Sequence, residues 1–196
     1  MNHVRNALCC LMIVTAFTAA YPDDGPIVTM SGRSFSSDMV VQLVEHLDVV
    51  SIERFFGEDA KELAPTSYFG YTPLMAAARG RKVDMLRWLL AKGAPTTGAD
   101  KTGRTALHYA CENGDLESAR ALLDKGAPVN VAQKKGFTPL HLAAKSGNVA
   151  LLELLLARKA KINSLVHARY NALGFACMQA NQDAALLLLE RGADWR

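Results

Sequence analysis

His108 and Cys111 stand three residues apart in the stretch GRTALHYACENG, residues 103–114. On a helix, that spacing puts both side chains on one face. An imidazole beside a thiol can activate a nucleophile or hold a metal ion. Either chemistry needs more than two residues: a third group to orient the base, or further ligands to complete a metal shell. No other catalytic word accompanies the pair, since the sequence has no G-x-S-x-G, no phosphate-cradling glycine loop and no H-E-x-x-H. The acids Asp115 and Glu117 that follow read as solvated helix surface.

What surrounds the pair is a chain of 196 residues, half of them hydrophobic, which is enough for one domain with a real core and too apolar for disorder. Its 22 lysines and arginines against 19 acids leave +3, which is no signature of a nucleic-acid binder. The first twenty residues differ from the rest. MNHVR carries one clear positive charge at Arg5, ALCCLMIVTAF is apolar, and TAA supplies a small-residue exit. This is the pattern of a secretory signal with cleavage after Ala20, and the apolar run is short for a membrane span. Removal of residues 1–20 leaves two cysteines, Cys111 and Cys177. The sequence holds no Asn-x-Ser/Thr, which favours a bacterial periplasm over a eukaryotic secretory route.

The positioning elements come from a repeat. GYTPLMAA begins at Gly70, GRTALHYA at Gly103, GFTPLHLA at Gly136 and RYNALGFA at Arg169, spaced 33 residues apart throughout. The pairs Leu89-Leu90, Leu122-Leu123, Leu155-Leu156 and Leu188-Leu189 keep the same register. In each unit, Thr or Asn before Pro or Ala is a helix N-cap followed by a good first helical residue. A second helix follows, as from Asp115 to the left-handed stop at Gly126. Two helices of this length cannot bury an apolar face alone, so the units must stack.

Period and words together resemble the ankyrin repeat, whose unit of about 33 residues carries T-P-L-H-x-A. The resemblance covers residues 70 to 195, with departures in the outer units: Met75 and Gly174 stand at the His position, Arg169 at the turn glycine, and Asn171-Ala172 at Thr-Pro. It implies an all-α ankyrin-repeat solenoid of stacked helix-turn-helix units with short finger loops built on β-turns. A degenerate capping unit is expected before the clear ones, over SDMVVQLVEHLDVVSIERFFGEDAKEL, with Val40, Leu43, Leu47, Ile52, Phe55 and Phe56 as its buried face. The expected organisation is a signal at 1–20, a flexible leader at 21–35, the N-terminal cap at 36–69, repeats at 70–102, 103–135 and 136–168, and a C-terminal cap at 169–196.

The register also reinterprets the first pair. The resemblance makes His108 and His141 structural, their rings bonding backbone between neighbouring units. Cys111 and Cys177 share a phase with Ala78 and Ala144, which reads as a slot for a small packed residue. Helices pack about 8–10 Å apart, so cysteines two units apart are about 20 Å from each other, beyond the ~7 Å that a disulfide allows. No catalytic residue, metal or cofactor is expected, and no enzyme activity.

In ankyrin proteins, partners usually dock on the concave face made by the fingers and the exposed side of each first helix. In this sequence, the phases that line it carry Tyr68, Phe69, Lys101, Lys134, Lys135 and His167 before the turn, and Tyr71, Arg104, Phe137 and Tyr170 just after it. Arg79, Lys145 and Met178 follow at the ends of the first helices. Aromatic residues and arginine are what binding hot spots use. The resemblance therefore implies a non-catalytic protein-binding module, exported to the periplasm or outside the cell, with a partner of acidic or mixed surface. Alternatives are an inhibitor or immunity protein that blocks a toxic secreted enzyme, and an effector acting on a host protein. A monomer is expected, with no nucleic acid, no small-molecule substrate, and membrane association only if the signal stays uncleaved. Lys92, Lys125, Arg158 and Arg191 at the ends of the second helices complement helix dipoles. Leu186, where other units have Arg87, Arg120 and Glu153, is expected to be an exposed apolar residue.

Overall fold

Local sequence decides where each helix begins. Thr72, Thr105, Thr138 and Asn171 have extended backbone and cap the helices that follow them. The computed structural model of the chain describes residues 37–56 and 70–195. Ten helices lie within them: α1 (Ser37–His46), α2 (Val49–Phe56), α3 (Pro73–Arg79), α4 (Val83–Ala91), α5 (Ala106–Glu112), α6 (Leu116–Asp124), α7 (Pro139–Ser146), α8 (Val149–Ala157), α9 (Ala172–Met178) and α10 (Gln182–Glu190). The expected signal, leader and residues 57–69 lie outside the described residues. Among the described residues, no helix is long and apolar enough to cross a membrane.

The helices form two layers. The inner layer runs α1, α3, α5, α7, α9 and the outer one α2, α4, α6, α8, α10, each packed on its neighbours in chain order. Small residues let the inner helices approach: Ala77, Ala110, Ala143 and Ala176 are all fully buried. Leucines fill the space between layers, with Leu89, Leu122, Leu155 and Leu188 at 0% exposure. Each such side chain withdrawn from water contributes about 2 kcal/mol. In the N-terminal pair, Leu43 and Ile52 are buried as expected, Leu47 is half-buried, Val41 and Val44 are buried beside them, and the side chains of Val40, Phe55 and Phe56 lie outside those described.

Between units, the chain turns back as a finger. Asp100 N donates to Arg104 O at 2.9 Å, Gln133 N to Phe137 O at 2.9 Å and Val166 N to Tyr170 O at 2.8 Å. Glycine is needed at the turn for two reasons. Gly103 has φ +81°, and a Cβ there would lie 3.2 Å from both Gln133 Cα and Lys134 N of the next finger. The last finger has Arg169 in that place, and His167 and Ala168 take the left-handed backbone instead, at φ 52° and 56°. Lys134 N donates to Thr102 O at 2.8 Å, joining two successive fingers.

Candidate functional site

His108 is fully buried, and both ring nitrogens are engaged. Thr105 N donates to Nδ1 at 3.1 Å, so Nε2 carries the proton and donates to Phe137 O of the next finger at 3.1 Å. His141 repeats the arrangement with Thr138 N at 3.1 Å and Ser164 O at 2.9 Å. Burial lowers the His108 pKa to about 4 and lowers that of His141 as well. The Cys111 thiol is buried, and burial pushes its pKa up. A neutral imidazole with both nitrogens bonded to backbone cannot take a proton from a thiol that burial keeps protonated. The pair is thus held in forms that suppress nucleophilic chemistry. Among the described residues, no cluster of three or more His, Cys, Asp or Glu could hold a metal.

Two expectations from the register need correction. Cys177 is exposed although it shares the phase of buried Ala78, Cys111 and Ala144. The slot is closed by the following unit, and within residues 70–195 no helix pair follows α10. Asp115 is not solvated surface: it is 8% exposed and caps α6, accepting from Ser118 N at 3.2 Å and Ser118 Oγ at 2.6 Å. Glu117 is exposed and pairs with Arg87 of the preceding unit at 2.6 Å. The basic ends of the second helices also reach backwards, Arg158 to Asp124 at 2.7 Å and Arg191 to Glu153 at 3.4 Å, while Lys92 Nζ lies 5.7 Å from the Trp88 ring centroid.

The residues singled out on the finger side fall into two groups. At the N-terminal end, Tyr71 is half-buried, bonds Arg79, and meets Tyr109 edge-on with centroids 5.6 Å apart. The Arg104 guanidinium lies 4.2 Å from the Tyr109 ring centroid and bonds Glu112, and its Nε is buried without a partner among the described residues. Tyr109 donates to Asp100 Oδ2 at 2.7 Å, and Asp100 Oδ1 accepts from Thr102 N, Thr102 Oγ1 and Arg104 N. Burial alone would raise the Asp100 pKa, but these hydrogen bonds outweigh it and hold the carboxyl below its usual range. Arg104 is therefore largely engaged within the protein.

At the C-terminal end, Phe137 is half-buried, 5.0 Å from Phe175 and 6.3 Å from His141 between centroids. Tyr170 packs 6.1 Å from Phe175 and stays 42% exposed, and Met178 is 53% exposed. Arg79, Lys101, Lys134, Lys135, Lys145 and His167 are exposed. Tyr68 and Phe69 lie outside the described residues.

A family model described as ankyrin repeats (3 copies) matches residues 34–133 and 126–196. The chain belongs to the ankyrin-repeat family. M-phase phosphoprotein 8 of Rattus norvegicus is 34% identical over 91 residues, or 46% of this ankyrin chain and 10% of that protein. The chain thus matches about a tenth of the length of this curated relative.

Within the ankyrin framework, Tyr109 and Phe175 are the aromatics that the sequence reading passed over. They occupy the phase one residue after the T-P-L-H histidine, with Ala76 and Leu142 in the other units. A large ring at a phase that elsewhere carries a small or aliphatic residue was the available signal. These two rings organise the two groups: Tyr109 ties Tyr71 to Arg104, and Phe175 ties Phe137 to Tyr170. Leu186 is 58% exposed on the last unit, with Leu189 at 45% and Trp195 at 78% nearby in sequence.

Proposed function

We propose that this ankyrin-repeat protein–protein interaction module is exported and non-catalytic, and that it holds a partner protein against the concave side formed by the fingers and first helices. The observation that carries the reading is the set of exposed side chains on that side, the cations Arg79, Lys101, Lys134, Lys135 and Lys145 with Tyr170 and Met178. Aromatic rings preset by packing against each other lose little freedom on binding, and exposed cations steer an acidic partner. The partner presents an acidic or mixed surface. Export rests on the basic, apolar and small-residue pattern of residues 1–20, and the periplasm is the expected compartment.

Arg79, Lys145 and Met178 are exposed, so replacing all three by Ala tests the face with little expected loss of stability. Recovery of bound proteins from the native envelope should fall strongly for the triple variant relative to the wild type. Equal recovery of the same proteins by both would refute docking on this side. Fractionation with N-terminal sequencing tests export, with a mature chain starting at Tyr21 as the expected result.

A further inference from the structure

Charge is distributed unevenly along the stack. From Lys125 to Gln182 the chain has eight lysines and arginines and one acid, Glu153, whereas the whole chain carries only +3. Glu153 is bonded to Arg191 on the outer layer. Lys134, Lys135, Lys145 and Arg169 occupy finger tips and the end of a first helix, and all are exposed. Asp183, Glu190 and Asp194 stand in α10 or after it, and the acids of the fingers and first helices belong to earlier units. Asp100 accepts from Thr102, Arg104 and Tyr109, Glu112 is bonded to Arg104, and Glu45 adds its field to Arg79.

Beside the cations lies an apolar position. Met178 stands one unit on from Lys145 at the same phase, and it is exposed. Methionine adapts to varied apolar side chains. Phe137 and Phe175 are half-buried against each other at 5.0 Å, which leaves little open ring face of the kind that strings of bases stack on.

We infer that the face from Lys134 to Met178 reads an extended acidic segment of a protein partner, with one apolar side chain anchored at Met178. This rests on the concave-face reading above. Neighbouring helices are about 8–10 Å apart, and an extended chain advances about 3.3 Å per residue, so one unit corresponds to about three residues of partner. A segment whose anchor meets Met178 therefore brings a residue about three positions away to Lys145, and that residue is Asp or Glu.

The test is selection of a displayed random dodecapeptide library on the 196-residue chain, followed by fluorescence polarisation with the enriched peptides. Enriched sequences should carry Asp or Glu about three positions from a Leu, Met or aromatic residue. Lys145→Ala should weaken binding about fivefold and reduce its salt dependence. Met178→Ser should weaken it about tenfold and leave the salt dependence unchanged. No enrichment, or enrichment of neutral or basic peptides, would overturn the inference. Neutral or basic peptides that still lose affinity in both variants would leave the concave face standing as the docking side. Acidic peptides that bind both variants as tightly as the wild type would remove the concave face and the inference together. Displacement of enriched peptides by an oligothymidine 20-mer at lower concentration than by the unlabelled peptide would assign the cations to nucleic acid instead and overturn the peptide reading.

Discussion

Acidification from pH 7 to pH 5 acts on this stack chiefly through His108. Its ring has an ordinary pKa of 6.5 in the unfolded chain and about 4 in the fold, where burial disfavours the cation. A depressed folded value means that the stability is complete above 6.5 and is lost as pH falls towards 4. At pH 5 the unfolded ring is almost wholly protonated and the folded ring is mostly neutral. Linkage then gives a loss of about 2 kcal/mol between pH 7 and pH 5, rising to about 3 kcal/mol below pH 4. His141 shifts in the same direction and adds to the loss. Asp100, held below its ordinary 3.8, stabilises the fold at both pH values and loses its contribution only at more acid pH. Urea unfolding at pH 7 and pH 5 measures the effect, with an unchanged m value confirming that the same transition is compared. His108→Gln keeps an amide near the position of Nε2 and removes the titration. The pH 7 to pH 5 loss should shrink by about 2 kcal/mol in this variant, leaving the share of His141. Equal losses in the wild type and in His108→Gln would refute the assignment of a neutral, bridging imidazole.

Alkylation with iodoacetamide under native conditions, read by peptide mass spectrometry, should modify Cys177 and spare Cys111 until the chain is unfolded, because one thiol is exposed and the other buried. Leu122→Ala should destabilise by about 2–5 kcal/mol in urea, since its side chain is fully buried. Leu186→Arg, at 58% exposure and in a phase that carries Arg87 and Arg120, should change stability by less than about 0.5 kcal/mol. Gly103→Ala combines a positive φ with a close approach to the next finger and should cost about 1–3 kcal/mol. A thermal midpoint equal to that of the wild type would show that the finger has room to relax.

The repeat was legible because its signals are local. A cap residue, a turn glycine and a leucine pair act within a few residues of themselves, so a 33-residue period exposes them directly. The role of His108 was legible through the same word. What escaped were features set by the neighbour in space. Cys111 and Cys177 have the same phase, yet their exposure differs because, within the described residues, a further unit covers the first slot and not the second. Asp115 looked like surface beside Glu117, but its carboxylate turns inward to cap its own helix. Arg104 stood out as an exposed candidate, whereas Tyr109 and Glu112, five and eight positions on, draw its guanidinium into the protein. In α1, Val41 and Val44 are buried, and Leu47 just after it is only half-buried, since helix phase at a degenerate cap is set by the packing of α1 on α3.

Among the described residues, the hydrogen bonds that join units, such as the His108 ring to Phe137 O and the Asn148 side chain to Gly114 O, reach only to the adjacent unit. The length of the molecule is therefore a free variable of its construction. Excising residues 103–135 as a block would leave Gly70 to Thr102 joined to Gly136 with the period intact. It would also shorten the binding row by one place, bringing the Arg79 end beside the Lys145 end. Changing the number of units edits the order of side chains that a partner meets, without the design of a new fold.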